Sequence, residues 1–385
     1  MSDVLPVQSV AAVPATAADP GLLPQSAAVS TVPAGALRPV DPDDRVTGSK
    51  KRLLFISYAF PPTGGGGVQR SAKFTKYLPE YGWQATVLTA VNPSVPVKDH
   101  DLQDDVNGST TLLRARTLEP SYAMKKALVD SGEQRSGPSI RTLLRRAAMQ
   151  LLQPDPQVLW NPTAMRMARH TLSRTPHDAI YATGPPFSSF LLGRALKRRF
   201  GLPLILDFRD EWLLVSQYLE SYQIGPLAHY RQQRMMTRVL KAADAVVATT
   251  RASAAEIESH CRQQGISPPV RCIYNGYDEH DVAETVPKPV ESHRFRIVYT
   301  GTLWKLTDVS PLVSALVQLS SIAPTVAGQI EWVMAGRRTP EQDVHLKRLQ
   351  TTPVTVEQHD YLPHRSALSL AASAQALVLL LADQP

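Results

Sequence analysis

Four consecutive glycines, Gly64 to Gly67, stand between an apolar run, Arg52 to Ser57, and a stretch with helical spacing at Val68, Phe74 and Leu78. Glycines at a strand-to-helix turn let backbone N–H groups approach an anion at the positive end of the helix. The loop is not a dinucleotide fingerprint. Its third glycine is replaced by Gln69 or Arg70, and Thr89 follows the second strand where an acid would hold a ribose. The Gly-Lys-Ser/Thr of a phosphate-binding P-loop is also missing. A tight turn is the plain alternative, although four glycines in a row exceed what a turn requires. A second group, Asp207, Arg209, Asp210 and Trp212, lies just past an apolar run, at the strand end where open α/β sheets bind ligands. Ser188 and Ser189, after Pro185-Pro186, are placed to cap a following helix. Asn275-Gly276 at a strand end reads as a structural turn near an interdomain hinge, with contact to the ligand as the alternative.

Other chemistries find no residues. There is no GxSxG elbow, no HExxH helix and no Cys/His cluster, and the two cysteines, Cys261 and Cys272, form no CxxC pair. Asp-x-Asp occurs as Asp41-Pro-Asp43 and Asp99-His-Asp101, neither at a strand end, which argues against a metal-dependent transferase of the one-domain type. No metal is expected. The cysteine usage and the absence of a basic, apolar leader lead to the expectation of a cytoplasmic protein. Between Leu112 and His170, ten Lys/Arg face four acids, nearly the whole net charge of +7. This stretch is either a solvated face or a contact for anionic membrane. Nucleic acid is disfavoured because no aromatic residues are interleaved for stacking. An apolar stripe, Leu143, Leu144, Ala147, Ala148, Leu151 and Leu152, beside Arg141, Arg145 and Arg146 suits an interfacial helix or a core-packed one.

The elements that must position these groups alternate in a βαβ rhythm. Residues 1–48, rich in Pro and Ala and without period, read as an unstructured leader. Strand-sized apolar runs follow at Arg52–Ser57, Ala85–Leu88, Ala179–Ala182, Leu204–Leu206 and Ala245–Ala248, with helical stretches at Phe187–Phe200 and Tyr222–Ala243. They predict a doubly wound parallel-sheet α/β domain over residues 49–285. A second series over 290–385 contains strands at Arg296–Thr300, Glu331–Ala335 and Ala376–Leu381 and helices at Ser310–Ser321, Glu341–Leu349 and His364–Ser373. At about 95 residues it is expected to be a Rossmann-like domain truncated after half its sheet.

The segments FISYAFPPTGGGGVQRSAKFTKYLPEYGWQATVLT, DPQVLWNPTA, YATGPPFSSFLLGRALKRRFGLPLILDFRDEW, IYNGYD and VYTGTL resemble retaining glycosyltransferases of family four, from about Lys51 to the last residue. The resemblance implies a GT-B fold, two Rossmann-like domains facing a cleft. It also implies transfer from a nucleotide-diphosphate sugar to a glycan or lipid-linked acceptor in bacterial surface-polysaccharide assembly, with possible peripheral membrane contact. By that resemblance Gly65, Gly66 and Gly67 face the donor sugar and diphosphate, and Gly301 lets the phosphates approach its backbone. Lys305 and Arg337 are the candidate donor cations, because Thr307 occupies the family's usual basic position; either is equally well a solvated charge. Arg209 and Asp210 are the candidate catalytic residues. Asp210 is suited to accept a hydrogen bond from an acceptor hydroxyl, as is Ser188, where many members have a histidine nearby. Arg209 either holds an acceptor anion or pairs with Asp207. The family's donor-binding glutamate pair is expected beyond Pro385, which leaves a catalytically incomplete binding protein as the alternative.

Overall fold

A computed structural model describes residues 50–381 apart from 96, 107, 123, 125–151, 214–224 and 286–292. The leader and the stripe at 141–152 lie outside the described residues, save for Leu152 at its end. Two parallel sheets organise the chain. The first contains β1 (Lys51–Ile56), β2 (Trp83–Ala90), β3 (Thr111–Ala115), β4 (Ala179–Gly184), β5 (Leu204–Phe208), β6 (Ala245–Ala248) and β7 (Val270–Cys272). Its order is β3-β2-β1-β4-β5-β6-β7, so the order reverses between β1 and β4. Register there pairs Ile56 with Leu88 on one side and with Ala182 on the other.

The sheet is buried on both faces, as the uninterrupted apolar runs require. Leu54 and Ile56 join a core with Leu88, Ile180, Ala182, Leu206 and Trp160. Their neighbours Leu53 and Phe55 point to the other face, with Val87 and Tyr181. The covering helices include α1 (Gly66–Tyr77), α2 (Asn161–Leu172), α3 (Ser188–Phe200), α4 (Pro226–Leu240) and α5 (Arg251–Gln263). The short α6 (Glu279–Ala283) follows.

The second, smaller sheet has the order β10-β9-β8-β11. It is built from β8 (Phe295–Thr300), β9 (Ile330–Ala335), β10 (Thr355–His359) and β11 (Ala376–Leu377). Helices α7 (Ser310–Ile322), α8 (Pro324–Ala327), α9 (Pro340–Lys347) and α10 (His364–Ala372) connect these strands. Trp332, Val309 and Val313 form its main core. The strand expected over Ala376–Leu381 is only two residues long, pairing with Ile297 and Val298. Beyond it Leu379 and Leu381 are exposed, and among the described residues no strand pairs with them. Sequence reading passed over β3 and β10 and gave no bounds to β7: their short or mixed-polarity segments carry too little apolar period.

Candidate functional site

In an open parallel sheet the loops at the carboxyl ends of the strands part where the strand order reverses, and a crevice opens there. In the first sheet that crevice lies between the loops after β1 and β4. The loop after β1 is the glycine run. Gly65 has φ +104°, a conformation open to glycine and rarely to other residues, and α1 begins at Gly66. Gly66 and Gly67 are exposed, and a Cβ at Gly66 would meet nothing within 4 Å. The fold itself therefore places no demand on a glycine at 66. At Gly67 a Cβ would stand 2.6 Å from Arg209 Nη1, so a side chain here would have to displace that guanidinium.

Arg209, on the loop after β5, donates from Nη1 to the Gly67 carbonyl and from Nη2 to the Pro185 carbonyl. It joins the two loops that flank the crevice. Removal from water lowers its pKa, with Asp210 and Asp207 opposing. Next to it Asp210 reaches solvent, yet desolvation by the surrounding loops raises its carboxyl above the usual range, with Arg209 opposing.

The pairing with Asp207, the alternative left open for Arg209, does not occur. Asp207, 1% exposed, pairs with Arg70 of α1 at 2.9 Å and accepts from Thr183 Oγ1 at 2.9 Å. Arg70 also donates to the Tyr274 carbonyl and to Asn275 Oδ1, both at 3.2 Å, and its guanidinium lies 4.5 Å from the Phe74 ring centroid. One buried ion pair thus anchors the helix behind the glycine loop to β4, β5 and the turn after β7. Trp212 is a core residue, stacked on Phe187 at 4.7 Å.

Ser188 is corrected on two counts. It is fully buried, so it does not reach an acceptor, and it does not cap α3, whose N-cap is Phe187. Its amide donates to Asp155 Oδ2 at 3.0 Å. Asp155 is itself buried among Glu119, Phe187 and Ser188, and desolvation pushes its carboxyl up to about 6 against those hydrogen bonds.

Loops at the carboxyl ends of the second sheet meet this crevice. After β10, Tyr361 Oη donates to Asp99 Oδ2 at 2.8 Å and accepts the Gly65 N–H at 3.3 Å. The same Asp99 oxygen accepts the His364 N–H at 2.9 Å, at the start of α10. The His364 ring bridges Gln69 at 3.0 Å and Asp281 Oδ2 at 2.9 Å. Burial and Asp99 together push the Tyr361 hydroxyl up to about 12. After β9, Arg337 is exposed and donates to Tyr122 Oη at 3.0 Å. Lys305 is exposed on the loop after β8. Thr307, at the family's basic position, closes that loop on itself through the Thr302 carbonyl and the Trp304 amide. Gly301 packs against Gly336, whose φ is +140° and where a Cβ would run into the Gly301 carbonyl.

Asp105, Asp278 and Asp281 bring carboxylate oxygens within 4.8 Å of one another, a cation-like spacing. Two ammonium groups already fill it. Lys73 reaches all three, at 2.8, 2.8 and 2.7 Å, and Lys76 reaches Asp105 and Asp278 at 3.0 and 2.8 Å. Burial works against the charge on Asp278, but Lys73, Lys76 and Tyr77 hold it well below the usual carboxylate range.

Tyr361, Asp99, His364 and Arg70 were not candidates from sequence. Arg70 had shown itself only as a break in a nucleotide fingerprint and Asp99 only as half of an Asp-x-Asp; no local signal links either to residues about 140 and 260 positions away.

Residues 65–276 match the glycosyl transferase 4-like domain. No curated protein matches the sequence. Among solved structures, sucrose-phosphate synthase from Thermosynechococcus elongatus is similar with a TM-score of 0.55 at 14% identity, covering 85% of this chain and 75% of that one. HepE from Anabaena in complex with UDP and glucose gives 0.45 at 14%, covering 84% and 72%. WaaG, a glycosyltransferase involved in lipopolysaccharide biosynthesis, gives 0.49 at 13%, covering 84% and 74%. With the two parallel sheets, the first of these likenesses establishes the GT-B fold.

Proposed function

The chain belongs to the glycosyl transferase 4-like family and is a glycosyltransferase of GT-B fold, and from that premise we propose that it moves a sugar, with retention, from a nucleoside-diphosphate sugar to a hydroxyl of a glycan or lipid-linked acceptor. One observation carries the reading. The exposed glycine loop at the N-terminus of α1, free of any structural need for glycine at Gly66, lies where the strand-end loops of both sheets meet.

The reaction needs stabilisation where charge develops. As the bond from the anomeric carbon to the diphosphate breaks, its electron pair leaves with the phosphate oxygen, while the acceptor oxygen forms the new bond on that same face and passes its proton to the departing phosphate oxygen. Preorganised N–H groups and cations suit that developing anion. The amides at the start of α1 supply the first, and Lys305 and Arg337 on the second-sheet loops supply the second, with Gly301 beside them. Asp210 accepts a hydrogen bond from the acceptor hydroxyl, and Arg209 keeps the loops on either side of it in place. No metal is assigned, since among the described residues the Asp105–Asp278–Asp281 cluster is already occupied by the ammonium groups of Lys73 and Lys76. Surface-polysaccharide assembly at the cytoplasmic face of a membrane is the setting this reading favours.

The test is Gly66→Val in the full chain, assayed by calorimetric titration with UDP- and GDP-sugars and by transfer to a glycan acceptor, with the anomeric configuration of the product read by NMR. Transfer should fall by orders of magnitude at an unchanged melting temperature, because the new side chain meets only solvent in the free protein. A fully active variant would reduce the loop to a turn and remove the donor assignment.

A further inference from the structure

Helix α4 carries two faces of different character. Ala228, Gln232, Met236, Val239 and Leu240 are buried. Leu227, Tyr230, Arg231, Arg234 and Arg238 recur at helical spacing and are exposed. Leu227 is 60% and Tyr230 54% exposed, large apolar groups that a water-facing helix ordinarily avoids. A cavity of about 440 Å³ opens along this face, lined by these five residues with Gln153 and Met235.

Among the described residues this face of α4 is basic, although α5, which also packs on α4, carries Glu256 and Glu258. Neither α4 nor α3, which packs on it, contains an aspartate or glutamate. From α3, Arg194 lies near Arg238; burial first, and then the like charges of Arg198 and Arg238, lower the pKa of Arg194. Lys197 is paired with Asp244 at 2.5 Å. Arg234 donates to the Tyr230 hydroxyl at 3.2 Å. Among the described residues no carboxylate pairs with Arg231, Arg234 or Arg238. An arginine row of this kind calls for an anion, and the leucine and tyrosine at its end call for an apolar phase beside that anion. Phosphate head groups over acyl chains offer both at the spacing of one helix face.

We propose that the exposed face of α4 docks the protein on an anionic lipid bilayer, with Arg231, Arg234 and Arg238 on head-group phosphates and Leu227 and Tyr230 entering the acyl boundary. The inference deepens the lipid-linked acceptor reading and gives it a surface, but binding to vesicles is measured without any transfer step.

Sedimentation of the full chain with phosphatidylcholine vesicles, with and without phosphatidylglycerol, tests it. Wild type should bind only the anionic vesicles. Reversal of Arg231, Arg234 and Arg238 to Glu should weaken that binding by at least about tenfold, and the milder Arg→Gln triple variant should weaken it in the same direction. Leu227→Ser with Tyr230→Ser should also release the protein, at unchanged melting temperature. The added emission of a Tyr230→Trp variant should be quenched by brominated phosphatidylglycerol. Undiminished binding by both arginine variants overturns the proposal, as does an introduced tryptophan whose emission the brominated lipid leaves unquenched. So does equal binding to single-stranded DNA with no effect of the Leu227 and Tyr230 changes, which marks a general polyanion patch. Loss of vesicle binding with transfer to a soluble glycan intact leaves the catalytic reading standing; the reverse outcome separates the two the other way.

Discussion

Tyr361 and Gly65 lie 296 positions apart in the chain, and the hydroxyl of the one accepts the backbone N–H of the other at 3.3 Å. The loop after a strand of the second sheet thus holds the glycine loop of the first through Asp99, which receives both the Tyr361 hydroxyl and the His364 amide on one oxygen. Any change in the separation of the sheets has to be felt at that amide.

Tyr361→Phe isolates this link. The ring stays and the hydroxyl bridge goes, so stability should fall by about 1 kcal/mol, the ordinary worth of such a hydrogen bond. The KM for the nucleotide sugar should change by more than that loss predicts, because the loop is no longer held. Steady-state kinetics beside thermal melting provide the comparison; unaltered kinetics would show the clasp to be merely structural.

At Gly67 the expected result is the opposite of that at Gly66. Gly67→Ala puts a methyl 2.6 Å from Arg209 Nη1 and should displace the guanidinium from both carbonyls, lowering stability by roughly 1–3 kcal/mol. Gly66→Ala should leave stability within about 0.5 kcal/mol. Urea denaturation of the two variants distinguishes them, and equal midpoints would argue against the place given to Arg209.

Removing one partner of the buried Arg70–Asp207 pair leaves an uncompensated charge. Arg70→Met should destabilise by about 3–5 kcal/mol, and adding Asp207→Leu should restore part of it. Chemical denaturation of the single and double variants measures the recovery. A double variant weaker than the single by the full cost of a second loss would show that charge burial is not the dominant effect.

Asp155 gives a pH dependence with a defined sign. Its folded pKa, about 6, lies above the unfolded value near 3.8, so the folded state binds the extra proton between these limits. Stability from this group is therefore complete below about pH 4 and falls as pH rises to about 6, by about 3 kcal/mol in all. Asp278, held low by its lysines, acts in the other direction and below that window. Asp155→Asn should flatten the decline between about pH 4.5 and 7, as read from urea midpoints. An unchanged slope would place the proton elsewhere.

The sequence by itself determined the alternation of strands and helices, because runs such as Leu53–Ile56 and Ala179–Ala182 are too apolar and too short for anything but strands of a sheet covered on both sides. It also determined the glycine loop, since a φ of +104° at Gly65 is a local conformation that glycine supplies, although the open space around Gly66 was settled by the packing. What Arg209 and Asp207 hold was decided only in three dimensions. Two positions apart, they would share a face if the strand continued, but β5 ends at Phe208 and the chain turns. Asp207 stays in the sheet and meets Arg70, while Arg209, already in the loop, reaches the carbonyls of Gly67 and Pro185. Ser188, polar and beside a cleft motif in sequence, was carried into the core by the helix it begins. The meeting of Tyr361, Asp99 and Gly65 has no local signature at all, since it depends on how loops from two separately ordered sheets come together, and strand order is a long-range property that no window of residues encodes.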